Sequence, residues 1–231
     1  MHKPVINLFR YAWYAGSAVI IISIILILSG PHKAVKLPAG FYTPVVAFEF
    51  IETRAEVLEM FGASNTPERA TLIAAMDRTN KIDFIYMSAY TAFLLLFCAS
   101  CSGKFRSKRF ILNTVIVLTV LASDAVENRQ LLAITDKIEN PDFSRELTLL
   151  HVFTWIKWGG LSTLFLTLVP CFKLHGVFGL IVIITSFFTA FTGLISFFNR
   201  SFINEIFAIL TAIMFLMLIV FSFINRNRAK I

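Results

Sequence analysis

Charge is scarce in this chain of 231 residues, at 15% against about 25% in a soluble domain, while 57% of the residues are hydrophobic. That shortage excludes a soluble globular protein, a disordered chain and a nucleic-acid binder. Cysteine is scarce as well. Cys98, Cys101 and Cys171 cannot all pair within the chain, so no disulfide framework is expected. Cys98-Ala-Ser-Cys101 is a CxxC, but with no second pair to relay electrons it reads as incidental small residues. A P-loop, a glycine-rich dinucleotide turn, a GxSxG elbow and an aspartate-rich diphosphate motif are all missing, so no cofactor is expected. His2, His32, His151 and His175 are scattered without ExxH or HxxxH spacing, and no metal site is expected either.

What is present is apolar sequence, with a mean hydropathy of +0.76. At about 20 apolar residues per spanning helix, the runs predict six membrane spans, over residues 13–29, 84–102, 110–134, 147–170, 177–198 and 202–224. The first run, from Trp13 to Leu28, is longer than the apolar stretch of a signal peptide and has no convincing cleavage site after it, so it reads as an uncleaved span. The expected fold is a single all-α membrane domain, an integral helical bundle over residues 1–231.

Lys and Arg outnumber Asp and Glu by 21 to 14. Their location explains the excess. With six spans the two termini share one side, and that side's short segments carry Lys3, Arg10, Lys104, Arg106, Lys108, Arg109, Lys173, Arg226, Arg228 and Lys230 without one acidic residue. The positive-inside rule makes that side cytoplasmic. An inner, or plasma, membrane protein with both termini in the cytoplasm is the expected localisation.

Residues 30–81 then form an extracytoplasmic cap. Thr43-Pro44 offers an N-cap followed by proline in the first turn, and the pattern beyond it predicts one amphipathic helix, with Phe48, Ile51, Ala55 and Leu58 on one face and Glu49, Glu52, Glu56 and Glu59 on another. Gly62 and Asn65 end it. Thr66-Pro67 starts a second helix that can run on into the second span, which makes the cap a helical hairpin lying over, or dipping into, the outer face.

Ionisable residues inside a membrane are costly and default to functional candidates facing the bundle interior. In the third span Asp124, Glu127 and Asn128 stand at i, i+3 and i+4 on one face. Two carboxylates this close resist joint ionisation, so one holds a proton or requires a cation. The fourth span places His151, Trp155 and Trp158 at i, i+4 and i+7, with Lys157 on a neighbouring face and a partner expected in Asp124 or Glu127. Asp83, Tyr86 and Tyr90 line one face of the second span, and Glu205 lies early in the sixth. The competing readings are a helix end reaching the headgroups for Asp124 and Glu127, an aromatic belt for the tyrosines, and a structural ion pair for Lys157.

Val46-Ala-Phe-Glu49, Asp83-Phe-Ile-Tyr86-Met-Ser-Ala-Tyr90, Asp124-Ala-Val-Glu127-Asn128 and Lys157 together resemble a pattern in small polytopic bacterial membrane proteins of unassigned function. The resemblance spans about half the chain and implies no activity. It groups Glu49, Asp83, Asp124, Glu127, Asn128 and Lys157 as one set.

The expected function is a carboxylate-rich site in the outer half of the bundle that binds a small amphiphile or lipid. Asp124 and Glu127 exchange protons or accept hydrogen bonds, and Lys157 supplies the counter-charge. Glu49, Asp83, Tyr86, Tyr90, Asn128, His151, Trp155 and Glu205 bind the ligand. Membrane lipids are the expected partners, and neither the oligomeric state nor a catalysed reaction is readable. The alternatives are a proton-coupled transporter and a structural or assembly protein whose polar cluster only locks the helices.

Overall fold

The computed structural model describes residues 7–102, 107–140 and 142–227. Of the basic set, Lys3, Lys104, Arg106, Arg228 and Lys230 lie outside them. The described residues form eight α-helices and no strand: α1 (Leu8–Ser29), α2 (Pro44–Glu49), α3 (Arg54–Phe61), α4 (Pro67–Ser102), α5 (Lys108–Asp136), α6 (Ser144–Phe172), α7 (Gly176–Phe198) and α8 (Phe202–Asn225). Six of these, all except α2 and α3, are long and apolar enough to cross a membrane. The chain is an all-α, multi-pass bundle.

Polar side chains cap the starts of three long helices, α1, α5 and α8. The Asn7 carboxamide accepts the Phe9 N–H to open α1, Ser107 accepts the Phe110 N–H to open α5, and Ser201 forms a reciprocal box with Asn204 at the head of α8. The long helices pack in chain order: α1 on α4, α4 on α5, α5 on α6, α6 on α7, α7 on α8, and α8 back on α1. Asn7 closes this ring by donating to the carbonyls of Asn225 and Arg226, at 3.1 and 2.8 Å. Close approach needs small residues in a membrane bundle, where packing rather than water exclusion holds helices together. A Cβ at Gly160 of α6 would stand 2.6 Å from Val120 of α5, and one at Gly16 of α1 would stand 2.8 Å from Ile219 of α8.

The interior divides by height. Near the chain termini it is aromatic: Phe93, Phe97, Phe165, Phe172, Phe215 and Phe221 are buried, and their rings meet in a continuous stack. At the opposite end, α2 and α3 and the long projection of α4 fold over the bundle. At 1.5 Å per residue, α4 is roughly 54 Å long, well beyond the length needed to cross a hydrocarbon core of about 30 Å. Its first turns share a core with the cap, in which Phe48, Ile51, Val57, Met60 and Phe61 pack against Leu72 and Met76 of α4, the end of α5 and the start of α6.

The cap differs from its expected form. The amphipathic helix predicted from Pro44 to Leu58 is broken into α2 and α3 at Phe50–Thr53. Thr53-Arg-Ala-Glu56 is a capping box: Thr53 Oγ1 accepts the Glu56 N–H, and the Glu56 carboxylate accepts the Thr53 N–H. A new helix start therefore interrupts the old one. The break also frees the Phe50 carbonyl, which accepts a hydrogen bond from Arg200 at 2.8 Å. The second limb matches the run-on expectation, since α4 is continuous through Thr79-Asn80, where Thr79 Oγ1 bonds the Ala75 carbonyl without interrupting the helix.

A second correction concerns the cysteines. Cys101 and Cys171 form a disulfide between the ends of α4 and α6, with their Cα atoms 5.6 Å apart, and Cys98 is a buried free thiol. The sequence separation of 70 residues concealed the contact, which exists because both helices finish at the same end of the bundle.

Candidate functional site

The break after Glu49 splits the acidic stripe of the cap. Glu59 pairs with Lys36 at 2.8 Å, Glu52 and Glu56 turn toward Arg200, and Glu49 alone enters the bundle. Arg200 serves the cap in three ways: one nitrogen donates to the Phe50 carbonyl and to Glu56 Oε2, the other binds Glu56 Oε1, and the guanidinium lies 5.7 Å from the Phe41 ring. Burial pushes the Glu56 carboxyl up, but the Arg200 guanidinium and the N–H groups of Glu52 and Thr53 outweigh it, and the group sits below the usual glutamate range.

At the centre stands Lys157, 8% exposed on α6. Its Nζ lies 2.5 Å from Glu127 Oε1, 3.0 Å from Glu49 Oε2 and 3.5 Å from Asp124 Oδ1. By helical rise it sits about 22 Å from the terminal end of α6, inside the span of a bilayer. Each carboxylate has a further neutral donor or lacks one. Tyr90 donates to Asp124 Oδ2 at 2.5 Å, Trp158 Nε1 donates to Glu49 Oε2 at 3.1 Å, and Asn128 donates to Asp83 Oδ2 at 2.6 Å. Glu127 Oε2 is buried without a hydrogen-bond partner. Glu49, Asp124 and Glu127 thus share one ammonium, with Asp83 beside them on Asn128, and buried charge of this kind is tolerated only when protons or cations neutralise the remainder.

Three cavities meet at Glu49. The largest, about 500 Å³, lies between the cap end of α1, the irregular segment that leads into α2, and α4, and it includes Asp83, Tyr86 and Asn128 in its wall. A smaller chamber of about 170 Å³ continues inward past Tyr90, Asp124, Lys157 and Trp158 to Phe215 and shares Glu49, Asp83 and Tyr86 with the first. A third, about 190 Å³, is a separate polar vestibule beside Glu52, His151, Trp155 and Arg200. Phe93, Phe165 and Phe215 close the floor beneath the chamber.

Of the residues singled out in the sequence, Glu49, Asp83, Tyr86, Tyr90, Asp124, Glu127, Asn128 and Lys157 come together in this cluster and its walls. Three stand elsewhere. His151 is exposed, and Trp155 packs its ring on Phe50 and Phe197, both in the vestibule. Glu205 tethers the cap, accepting the N–H groups of Tyr42 and Thr43 at 2.9 and 2.8 Å and the Thr43 hydroxyl at 2.7 Å. Sequence reasoning missed Asn80 and Thr211, which line the large cavity and the chamber and leave Nδ2 and Oγ1 unpartnered. Neither carries a signal, because amides and hydroxyls in helices are usually satisfied locally.

Among the described residues no three His, Cys, Asp or Glu side chains meet in a metal-holding group. Compared with protein families, with curated proteins and with solved structures, the chain finds no match.

Proposed function

We propose that this chain is a membrane protein that binds a small amphiphile or lipid in the cavity beside Glu49, with Asp83, Asp124, Glu127 and Lys157 as the polar end of the site. The observation that carries the reading is that an apolar-walled cavity of about 500 Å³, within the range of roughly 300–1,000 Å³ typical of ligand sites, runs into a buried charge cluster. Carboxylates that share one ammonium also suit proton exchange with a ligand. A proton-coupled transporter is the weaker reading, because the aromatic stack beneath Tyr90 offers no polar continuation toward the termini.

The orientation follows the charges. The end bearing Arg10, Lys108, Arg109, Lys173 and Arg226 faces the cytoplasm of an inner membrane, and the cap faces outward. The Cys101–Cys171 disulfide then lies on the reducing side, where such bonds are transient and redox-responsive.

The test is extraction of the purified protein. Wild type releases a near-stoichiometric apolar molecule into organic solvent, whereas an equally expressed and monodisperse Asp124→Asn/Lys157→Met variant releases none. Full retention by that variant would assign the cluster to helix locking alone.

A further inference from the structure

The wall of the large cavity is one-sided in charge. Among the described residues, the ionisable acids and bases of its wall besides His32 and the tyrosines are Glu49 and Asp83, and neither lysine nor arginine lines it. Lys157 does not correct the imbalance, because its Nζ is already shared among Glu49, Asp124 and Glu127. A phosphate or carboxylate head placed beside Asp83 meets like charge in a poorly hydrated space, and a cationic head meets its complement.

A second observation points to a ligand independently of the acids. Asn80, 4% exposed, lines this cavity one turn from Asp83 and leaves its Nδ2 without a hydrogen-bond partner. Thr211, 5% exposed, does the same with its hydroxyl in the adjoining chamber. Buried donors of this kind are ordinarily satisfied, and an unpaired one in a cavity wall is accounted for by an acceptor that occupies the cavity. The remaining wall is mostly apolar: Leu26, Ile27, Pro31, Val45 and Val46 border it between scattered hydroxyls, and Ile27 is 68% exposed on the outer face of α1, the face a bilayer would meet. The mouth therefore opens at the membrane flank.

We propose that the cavity selects a cationic amphiphile, a protonated amine on an apolar body with a neutral oxygen next to it. The ammonium sits between Glu49 and Asp83, and the oxygen, a hydroxyl or carbonyl, accepts from Asn80. The apolar body leaves between α1 and α2 toward the bilayer. No bond is made or broken. The inference rests on the amphiphile-binding reading above and adds to it the sign of the head group and the residue that reads the oxygen.

Four probes of matched length test it in phosphatidylcholine nanodiscs at pH 7: decylamine, 2-amino-1-decanol, 1-decanol and decanoate. Binding is read, in a Trp13→Phe/Trp155→Phe background, from the emission of Trp158, whose indole bonds Glu49 from the adjoining chamber, and from the melting temperature. The expected order has 2-amino-1-decanol tightest, decylamine next, and 1-decanol and decanoate at least about ten-fold weaker. Asp83→Asn, which is isosteric and keeps an oxygen facing Asn128, abolishes the preference for amines. Asn80→Ala makes the amino alcohol no better than decylamine. Equal or better binding of 1-decanol or decanoate by wild type would overturn the cation assignment while leaving an amphiphile site. Failure of all four probes on folded wild type would overturn both readings. An amine preference that survives Asp83→Asn and Glu49→Gln would place the head group elsewhere and also refute the proposal.

Discussion

Replacing Lys157 by methionine removes the one cation that faces Glu49, Asp124 and Glu127, all within 3.5 Å of it, while keeping most of the side-chain volume. Breaking a buried ion pair from one side costs about 3–5 kcal/mol, because the abandoned charge stays desolvated. For a chain of this length each kcal/mol moves the melting temperature by about 2–4 °C, so Lys157→Met in nanodiscs should melt roughly 6–20 °C below wild type. Adding Glu127→Gln removes the most buried of the abandoned carboxylates, which is fully enclosed. The double variant should then melt above Lys157→Met, with a coupling of about 0.5–3 kcal/mol in a double-mutant cycle. A Lys157→Met melting point within 2 °C of wild type, to take about one kcal/mol as the threshold, would refute the charge compensation described for the cluster. A double variant whose loss equals the sum of the two singles would refute the Lys157–Glu127 pairing.

Glu205→Gln weakens three hydrogen bonds to Tyr42 and Thr43, a bond to a carboxylate contributing about 1.5–3 kcal/mol in all against about 0.5–1.5 kcal/mol for a neutral acceptor, and limited proteolysis near residue 42 should accelerate at least ten-fold; unchanged cleavage would show that the cap is held without the tether. The Glu56 carboxyl is held below the ordinary value of 4.5, so its stabilisation of the cap is present above that pH and is lost as pH falls through the lower folded value. Hydrogen exchange over residues 54–61 should be slower in wild type than in Glu56→Gln at pH 6, with the difference shrinking as pH falls below the ordinary glutamate value, and a pH-independent difference would remove Glu56 as its cause. In a background without native cysteines, impermeant thiol reagents should label Ser64→Cys and spare Ser107→Cys in intact cells, and the reverse pattern would invert the orientation. Rapid acid trapping and alkylation should find Cys101 and Cys171 as thiols in growing cells and bonded after aerobic purification; a bond already complete in cells would place that end in an oxidising compartment.

The six spans were legible because hydropathy and length act locally, and the bundle adds little that contradicts them. The Asp124, Glu127 and Asn128 face was legible for the same reason, since the i, i+3, i+4 geometry is intrinsic to a helix. Lys157 needed only the argument that a buried ammonium finds a carboxylate. Glu49 was harder. It was grouped with the site, but on one unbroken amphipathic helix its stripe did not show how it alone enters the bundle; the Thr53–Glu56 capping box, present in the sequence but overridden by the longer periodic pattern, ends α2 where Glu49 can turn inward. Arg69 shows the other limit. It is 3% exposed and donates to the carbonyls of Gly62 and Ile138, at 3.0 and 2.9 Å, yet nothing near residue 69 marks residue 138 as its neighbour. Contacts between distant chain segments depend on which helices stand side by side, and periodicity carries no information about that.

The Asn7 clasp on the carbonyls of Asn225 and Arg226 makes the order of the helices cyclic as well as sequential. Every long helix touches its predecessor and its successor, and the last touches the first. Which of these long helices stands first in the sequence is therefore a matter of connectivity more than of packing. A circular permutant of the described bundle, with a short linker from the end of α8 to Asn7 and new ends opened between α5 and α6, would keep every neighbour it has now. The clasp would then survive as an ordinary turn, and the order of membrane insertion would change without any change in the final packing.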